Sequence, residues 1–184
     1  MRPSMNSERA SRVARKLAQP ETAGLGSILI LSATQFDQRP EHDEVTQPTG
    51  FDPGAVSLFE AIVESAYLVA TADGSFDEAE ENAFRHIVLT ACGDVISETK
   101  VSGLLADLSL LLDEEGVDRR IAALGESVRR GAHAREVLRT AALMAQASSG
   151  VSAEERALLE RLRSSFALQL EELDRVLAEV RELE

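Results

Sequence analysis

From Val56 onward, apolar residues fall at three- and four-residue intervals, the period of helices with one buried face. Val56, Phe59, Ile62, Val63, Ala66, Tyr67 and Ala70 form the first stripe. Asp52 and Pro53 supply an N-cap and a first-turn proline before it, and Asp73-Gly74 ends it. Asp77 with Glu80 three residues later is a capping-box pattern opening a second helix, which reaches about Ala91 with Phe84, Ile87 and Val88 inside. Ser97 caps a third, built on Val101, Leu104, Leu105, Leu108, Leu111 and Leu112 and stopped at Glu115-Gly116. A fourth runs from about Asp118 to Arg130, where Gly131 breaks it. The remaining three cover about Ala132 to Ala147, Ser152 to Phe166 and Gln169 to Leu183. The pattern predicts seven helices joined by short turns and no strand, an all-α domain over 53–184. Ile62, Ala66, Tyr67, Leu104, Leu108, Ala141, Leu143, Leu159 and Leu162 should share its core.

Residues 1–52 differ. Pro20, Pro40 and Pro48 are spread through a stretch rich in Gln, Thr, Ser and Gly, so this part reads as a mostly extended or disordered arm, with at most a short helix from Ser7 to Leu17. Within it the segment 24–33 is too apolar for a solvated linker. Two readings stay open: a docking peptide that adds to a partner as a strand or lies in its groove, or a strap over the chain's own core.

Laying residue n over residue n+75 exposes an internal repeat. Ile62-Val63 falls on Val137-Leu138, Ala66 on Ala141, Leu68 on Leu143 and Ala70 on Ala145; Asp77 falls on Ser152, Glu80 on Glu155, and Phe84 and Ile87 on Leu159 and Leu162. Each copy is a helix, a tight turn, an N-cap and a second helix, and two such hairpins face to face bury four apolar stripes. The first turn, Ala72-Asp73-Gly74-Ser75-Phe76-Asp77-Glu78-Ala79-Glu80, resembles the A-D-G-x-φ-D-x-x-E hairpin of TerB-like (tellurite-resistance) domains, over about 54–184. That resemblance implies a seven-helix bundle with two degenerate hairpin repeats. It also implies a bacterial role in tellurite or chemical-stress response, in complexes near the membrane, with acidic residues as metal ligands. This chain departs from the pattern in its second copy, where Ser148-Ser149 replace Asp-Gly and Ser152 replaces the capping acid.

Charge sharpens the picture. The net charge of −13 lies entirely in 51–118, where Arg85 and Lys100 face fifteen acidic residues; the flanking stretches are balanced. Such a field repels phosphate backbones, which argues against nucleic acid, and attracts cations or a basic protein. The one cysteine, Cys92, excludes an internal disulfide and sits in an apolar helical stretch. No apolar run approaches the roughly 20 residues of a bilayer span. A cytoplasmic protein is expected, with peripheral membrane association and oligomeric state left open.

The candidate site is the acidic turn. Asp73, Gly74, Phe76, Asp77 and Glu80 match the later positions of an EF-hand loop, but Val69 stands where its first carboxylate should be. Asp73, Asp77 and Glu80 remain as hard-oxygen ligands for Ca²⁺ or Mg²⁺. The competing reading is that these acids only cap helices and complement their dipoles. His42, His86 and His133 form no pair at helical metal spacing, and no nucleophile elbow, Cys–His pair or phosphate-binding glycine loop is present. The expectation is a non-enzymatic stress-response or scaffold protein that binds partners through its acidic half and its arm. A divalent-cation sensor is the alternative, and a carboxylate-based enzyme a remote one.

Overall fold

Asp52, Asp77, Ser97 and Ser152 each accept a backbone N–H of the helix they open, so the expected caps are made in the computed structural model. It describes residues 7–17, 28–39, 50–74, 76–128, 131–146 and 151–182. Among these the chain forms α1 (Ser7–Leu17), α2 (Ile28–Asp37), α3 (Pro53–Ala70), α4 (Glu78–Ala91), α5 (Glu98–Ser127), α6 (Gly131–Gln146), α7 (Ala153–Ser165) and α8 (Leu170–Arg181), with no strand. The all-α reading holds. α5 is two helical segments joined at a kink at Gly116, whose φ of 76° and ψ of 160° no L side chain adopts without strain. With α5 counted as two segments, the described residues from Pro53 onward carry the seven expected helices.

The centre is the pair α3 and α6, the first helices of the two repeat copies, which pack on each other more extensively than any other pair. Residues 61–69 and 137–146 are buried all round, as helices in the middle of a bundle must be. α3 is long and apolar enough by composition to cross a membrane, with a mean hydropathy of 1.3. Here α2, α5, α6 and α7 surround it, which accounts for its composition. Every residue expected in the shared core is buried there.

The expected arm contributes more than a short helix. α1 buries Ala10, Val13, Ala14 and Leu17 against α4 and α6, and α2 buries Leu29, Ala33 and Phe36 against α3, with Phe36 and Phe59 rings 5.0 Å apart. The described part of the segment 24–33 is therefore a helix strapped over the chain's own core, not a strand. Polar ties hold it: Asp52 N–H donates to Gln35 Oε1 at 2.9 Å, Arg39 pairs with Glu60, and Lys100 pairs with Asp37. The rest of 1–52, apart from residues 38, 39 and 50–52, lies outside the described residues.

Two charges are buried in the central pair. Glu64 of α3 accepts Arg120 of α5 through both oxygens, at 2.6 and 3.0 Å, and Arg120 also reaches Glu115 at 2.9 Å. Arg139 of α6, only 1% exposed, meets Glu179 of α8 in a bidentate pair at 2.7–3.0 Å. It also donates to Glu136 and to the Lys16 carbonyl, while the Lys16 ammonium lies 3.3 Å from Glu179. Burial pushes the Glu179 carboxyl up, but hydrogen bonds and charges from Arg139 and Lys16 outweigh it and hold it below its ordinary 4.5.

Two expected outcomes follow. Gly125 lets α5 approach α7: an added Cβ would meet Ser165 Oγ and stand 2.8 Å from its carbonyl oxygen. Helix propensity alone favours alanine by roughly 1 kcal/mol, but forced overpacking costs about 1–3. Gly125→Ala should therefore lower the melting temperature, whereas Gly103→Ala, with open space around it, should raise it. The lowered pKa of Glu179 means the folded state binds this proton less readily than the unfolded state. Its stabilisation is present above about pH 4.5 and lost as the pH falls through the lower folded value. Denaturant melts of wild type and Glu179→Gln should differ most near neutrality and converge in acid.

Candidate functional site

The acidic turn is built from both sides. α3 ends at Thr71, Gly74 turns the chain with φ of 79°, and Phe76 folds back to stack edge-on against Tyr67 and Phe84, at 5.3 and 6.0 Å between ring centres. Tyr67 and Phe84 close the triangle at 6.3 Å. Three aromatic rings thus clamp the end of α3 to the start of α4. Asp77 Oδ1 accepts Glu80 N–H at 2.8 Å, and Glu80 Oε2 accepts Asp77 N–H at 3.1 Å. This reciprocal box uses two of the three acids that the sequence offered as ligands, and satisfies two backbone donors.

Asp73 sits half-buried one residue before Gly74 and is engaged within the fold. Like charges in the first turn of α4 meet a cation in Arg85, which lies 3.6 Å from both Glu81 and Glu98 and hydrogen-bonds Asn82 and Ser102. Among the described residues, no group of three or more His, Cys, Asp and Glu side chains is placed to hold a metal ion. Asp77 and Glu80 are brought together, but as a cap. His86 is exposed on α4 and His133 lies at the start of α6; His42 falls outside the described residues. Cys92 is buried, and burial pushes its thiol up to about 12, so it stays protonated at neutral pH.

The second copy repeats the cap at the predicted offset. Ser152 Oγ accepts Glu155 N–H at 3.1 Å and Glu155 Oε2 accepts Ser152 N–H at 2.7 Å. Ser148 and Ser149 lie outside the described residues. Both copies therefore open their second helix the same way, with a hydroxyl replacing a carboxylate.

Between the end of α3, the α5 break and one face of α7 lies a groove that the sequence did not announce. Thr71 and Ala72 from the end of α3, Leu112 and Val117 from either side of the Gly116 break, and Glu154, Ala157 and Arg161 from one face of α7 line a space of about 330 Å³. Its floor is apolar, with Leu68 and Leu158 beneath. Arg161 at the rim is paired with Asp118. Asp113, on the same turn as Leu112, and Glu154 make no ion pair among the described residues. The Gly116 break shapes this space, because it redirects α5 between Leu112 and Val117. The only sequence signal was Glu115-Gly116, which reads equally well as an ordinary helix stop.

An all-α helical bundle with an acidic pole and a shallow apolar groove is the class this geometry defines. No protein-family model, curated protein or solved structure matches the chain.

If capping is the work of Asp77, then Asp77→Ala and Ser152→Ala should each cost about 1 kcal/mol in chemical denaturation. The equal losses would come from equivalent caps; a much larger loss at Asp77 would mark a further ligand there.

Proposed function

We propose that this chain is a non-enzymatic, TerB-like interaction protein whose acidic half engages a basic protein partner. The observation that carries this reading is how the charge of 51–118 is disposed. Glu78, Glu98, Asp107, Asp113, Glu114 and Asp118 are exposed on α4 and α5. The two basic residues of the same stretch are already engaged, Arg85 with Glu81 and Glu98, and Lys100 with Asp37. The surface field is thus left negative, which steers basic partners and rejects nucleic acid. Leu110 adds an apolar point on the same helix, 60% exposed among these carboxylates.

The TerB-like assignment rests on the A-D-G-x-φ-D-x-x-E turn, the repeated capping boxes and the helix order. A role in bacterial tellurite or chemical stress follows from that assignment and belongs to the same proposal. A Ca²⁺- or Mg²⁺-sensing role would need Asp77 and Glu80 to leave their cap.

Residues 1–52 also carry core positions such as Leu17, Leu29 and Phe36, so the test uses surface substitutions in the full chain. Titration with an oligolysine peptide should show binding at low ionic strength that weakens steeply with added salt. The combined Asp107→Asn, Asp113→Asn and Glu114→Gln variant should bind at least about fivefold more weakly, a loss of about 1 kcal/mol, with an unchanged melting temperature. Absence of binding at low salt would sink the reading. A melting temperature that rises several degrees with millimolar Ca²⁺ or Mg²⁺ would put the cation sensor in its place.

A further inference from the structure

The geometry points to the groove between α3, the α5 break and α7 as the seat for an apolar side chain of that basic partner, held between two of its cations. This inference rests on the proposed acidic interaction surface and specifies where and how it recognises its target.

The groove's volume of about 330 Å³ is at the low end of the roughly 300–1,000 Å³ typical of ligand pockets. It suits a Leu- or Ile-sized side chain better than a cofactor. Leu68, Leu112, Val117, Ala157 and Leu158 offer that side chain an apolar wall. The charges around it select the flanks. Arg161, the one cation among the described residues lining the groove, is paired with Asp118. Glu154, which lines the groove, and Asp113, an exposed chain neighbour of the lining residue Leu112, have no ion-pair partner among the described residues. An occupant with an apolar residue between basic ones would satisfy both the floor and these nearby carboxylates, whereas an acidic or purely apolar one would leave Glu154 and Asp113 unmatched. The walls are fixed beforehand: Gly116 sets the angle of α5, the capping box of Ser152 and Glu155 sets the start of α7, and the aromatic triangle holds the end of α3. Little ordering cost then falls on this chain at binding.

The test titrates isotopically labelled full-length protein with two synthetic peptides of about twelve residues, one alternating Leu and Lys and one alternating Ser and Lys. The Leu–Lys peptide should bind about tenfold tighter and shift the amide resonances of Thr71, Ala72, Val117 and Ala157. Ala157 is exposed on α7, so Ala157→Trp can fill the groove from outside without opening the core, and should erase that tenfold preference. Glu154→Gln with Asp113→Asn, which leaves the groove open, should weaken both peptides alike and guards against misfolding of the Trp variant. If neither peptide binds, the acidic-surface reading itself fails. If both bind equally and Ala157→Trp changes nothing, only the groove assignment fails. Concentration-dependent self-association of the protein alone, abolished by Ala157→Trp, would overturn the assignment by making a second copy the occupant.

Discussion

Two opposite charges buried in the central helices dictate where the outer helices must lie. Glu64 and Arg139 stand in the middle of apolar runs on α3 and α6, with no water to solvate them. A buried charge without a partner costs several kcal/mol, so each must be met from outside the pair. α5 brings Arg120 to Glu64, and α8 brings Glu179 to Arg139. Each contact then constrains more. Arg120 also holds Glu115, the residue just before the Gly116 break, so the kink of α5 and the buried pair are parts of one device. Arg139 also takes the Lys16 carbonyl at the end of α1, tying a helix from the N-terminal region to the last helix through one guanidinium. Such pairs add little net stability over an apolar replacement, but they reject any packing that leaves either charge alone.

These charges occupy equivalent places in the repeat. Glu64 and Arg139 are 75 residues apart, and so are the buried hydroxyls that follow them, Ser65 and Thr140, neither of which finds a hydrogen-bond partner among the described residues. The two copies thus keep a polar step at the same point in the central helix while reversing its sign. They also keep the capping box and diverge around it. The first copy secures its turn with Phe76 in a triangle of rings; in the second, Val151 stands at that position and packs on the core. The duplicated feature is a way of joining two helices rigidly, and the acid that both copies place there, Glu80 and Glu155, closes the cap.

How much of this was legible depends on whether the signal was local. Helix starts at Asp52, Asp77, Ser97 and Ser152 were readable because a cap is written within four residues of chain. The core from Ile62 to Leu162 was readable because its spacing is periodic. α2 was missed as a helix because Leu29, Ala33 and Phe36 span only two turns amid Thr, Gln and Ser, and composition outweighed so short a stripe. α1 shows the stronger spacing of Ala10, Val13, Ala14 and Leu17, but its burial depends on α4 and α6, far along the chain. The ion pairs Glu64–Arg120 and Arg139–Glu179 join residues 56 and 40 positions apart. The sequence could flag a lone charge in an apolar run, and Glu64 and Arg139 are both of that kind, but it could not name the counterion. The acidic turn illustrates the opposite difficulty: its ligand-like residues were plain to see, and a cap and a carboxylate cage ask for the same residue types.

The groove and the acidic field share one origin in α5. Its first half carries exposed carboxylates because its apolar positions, Val101, Leu104, Leu105 and Leu108, already fill the side facing the core. Between Leu108 and the Gly116 break the core covers the helix less: Leu110 is exposed, and Leu111 and Leu112 are only partly covered, before Ile121 and Leu124 are buried again. Gly116 then redirects the chain so that Arg120 can reach Glu64. The bend required by a buried charge leaves apolar surface uncovered on the same helix that bears the negative excess. A partner meeting this pole would encounter the field at long range and the uncovered leucines only on contact, an order in which charge governs the rate of encounter and apolar burial the lifetime of the complex.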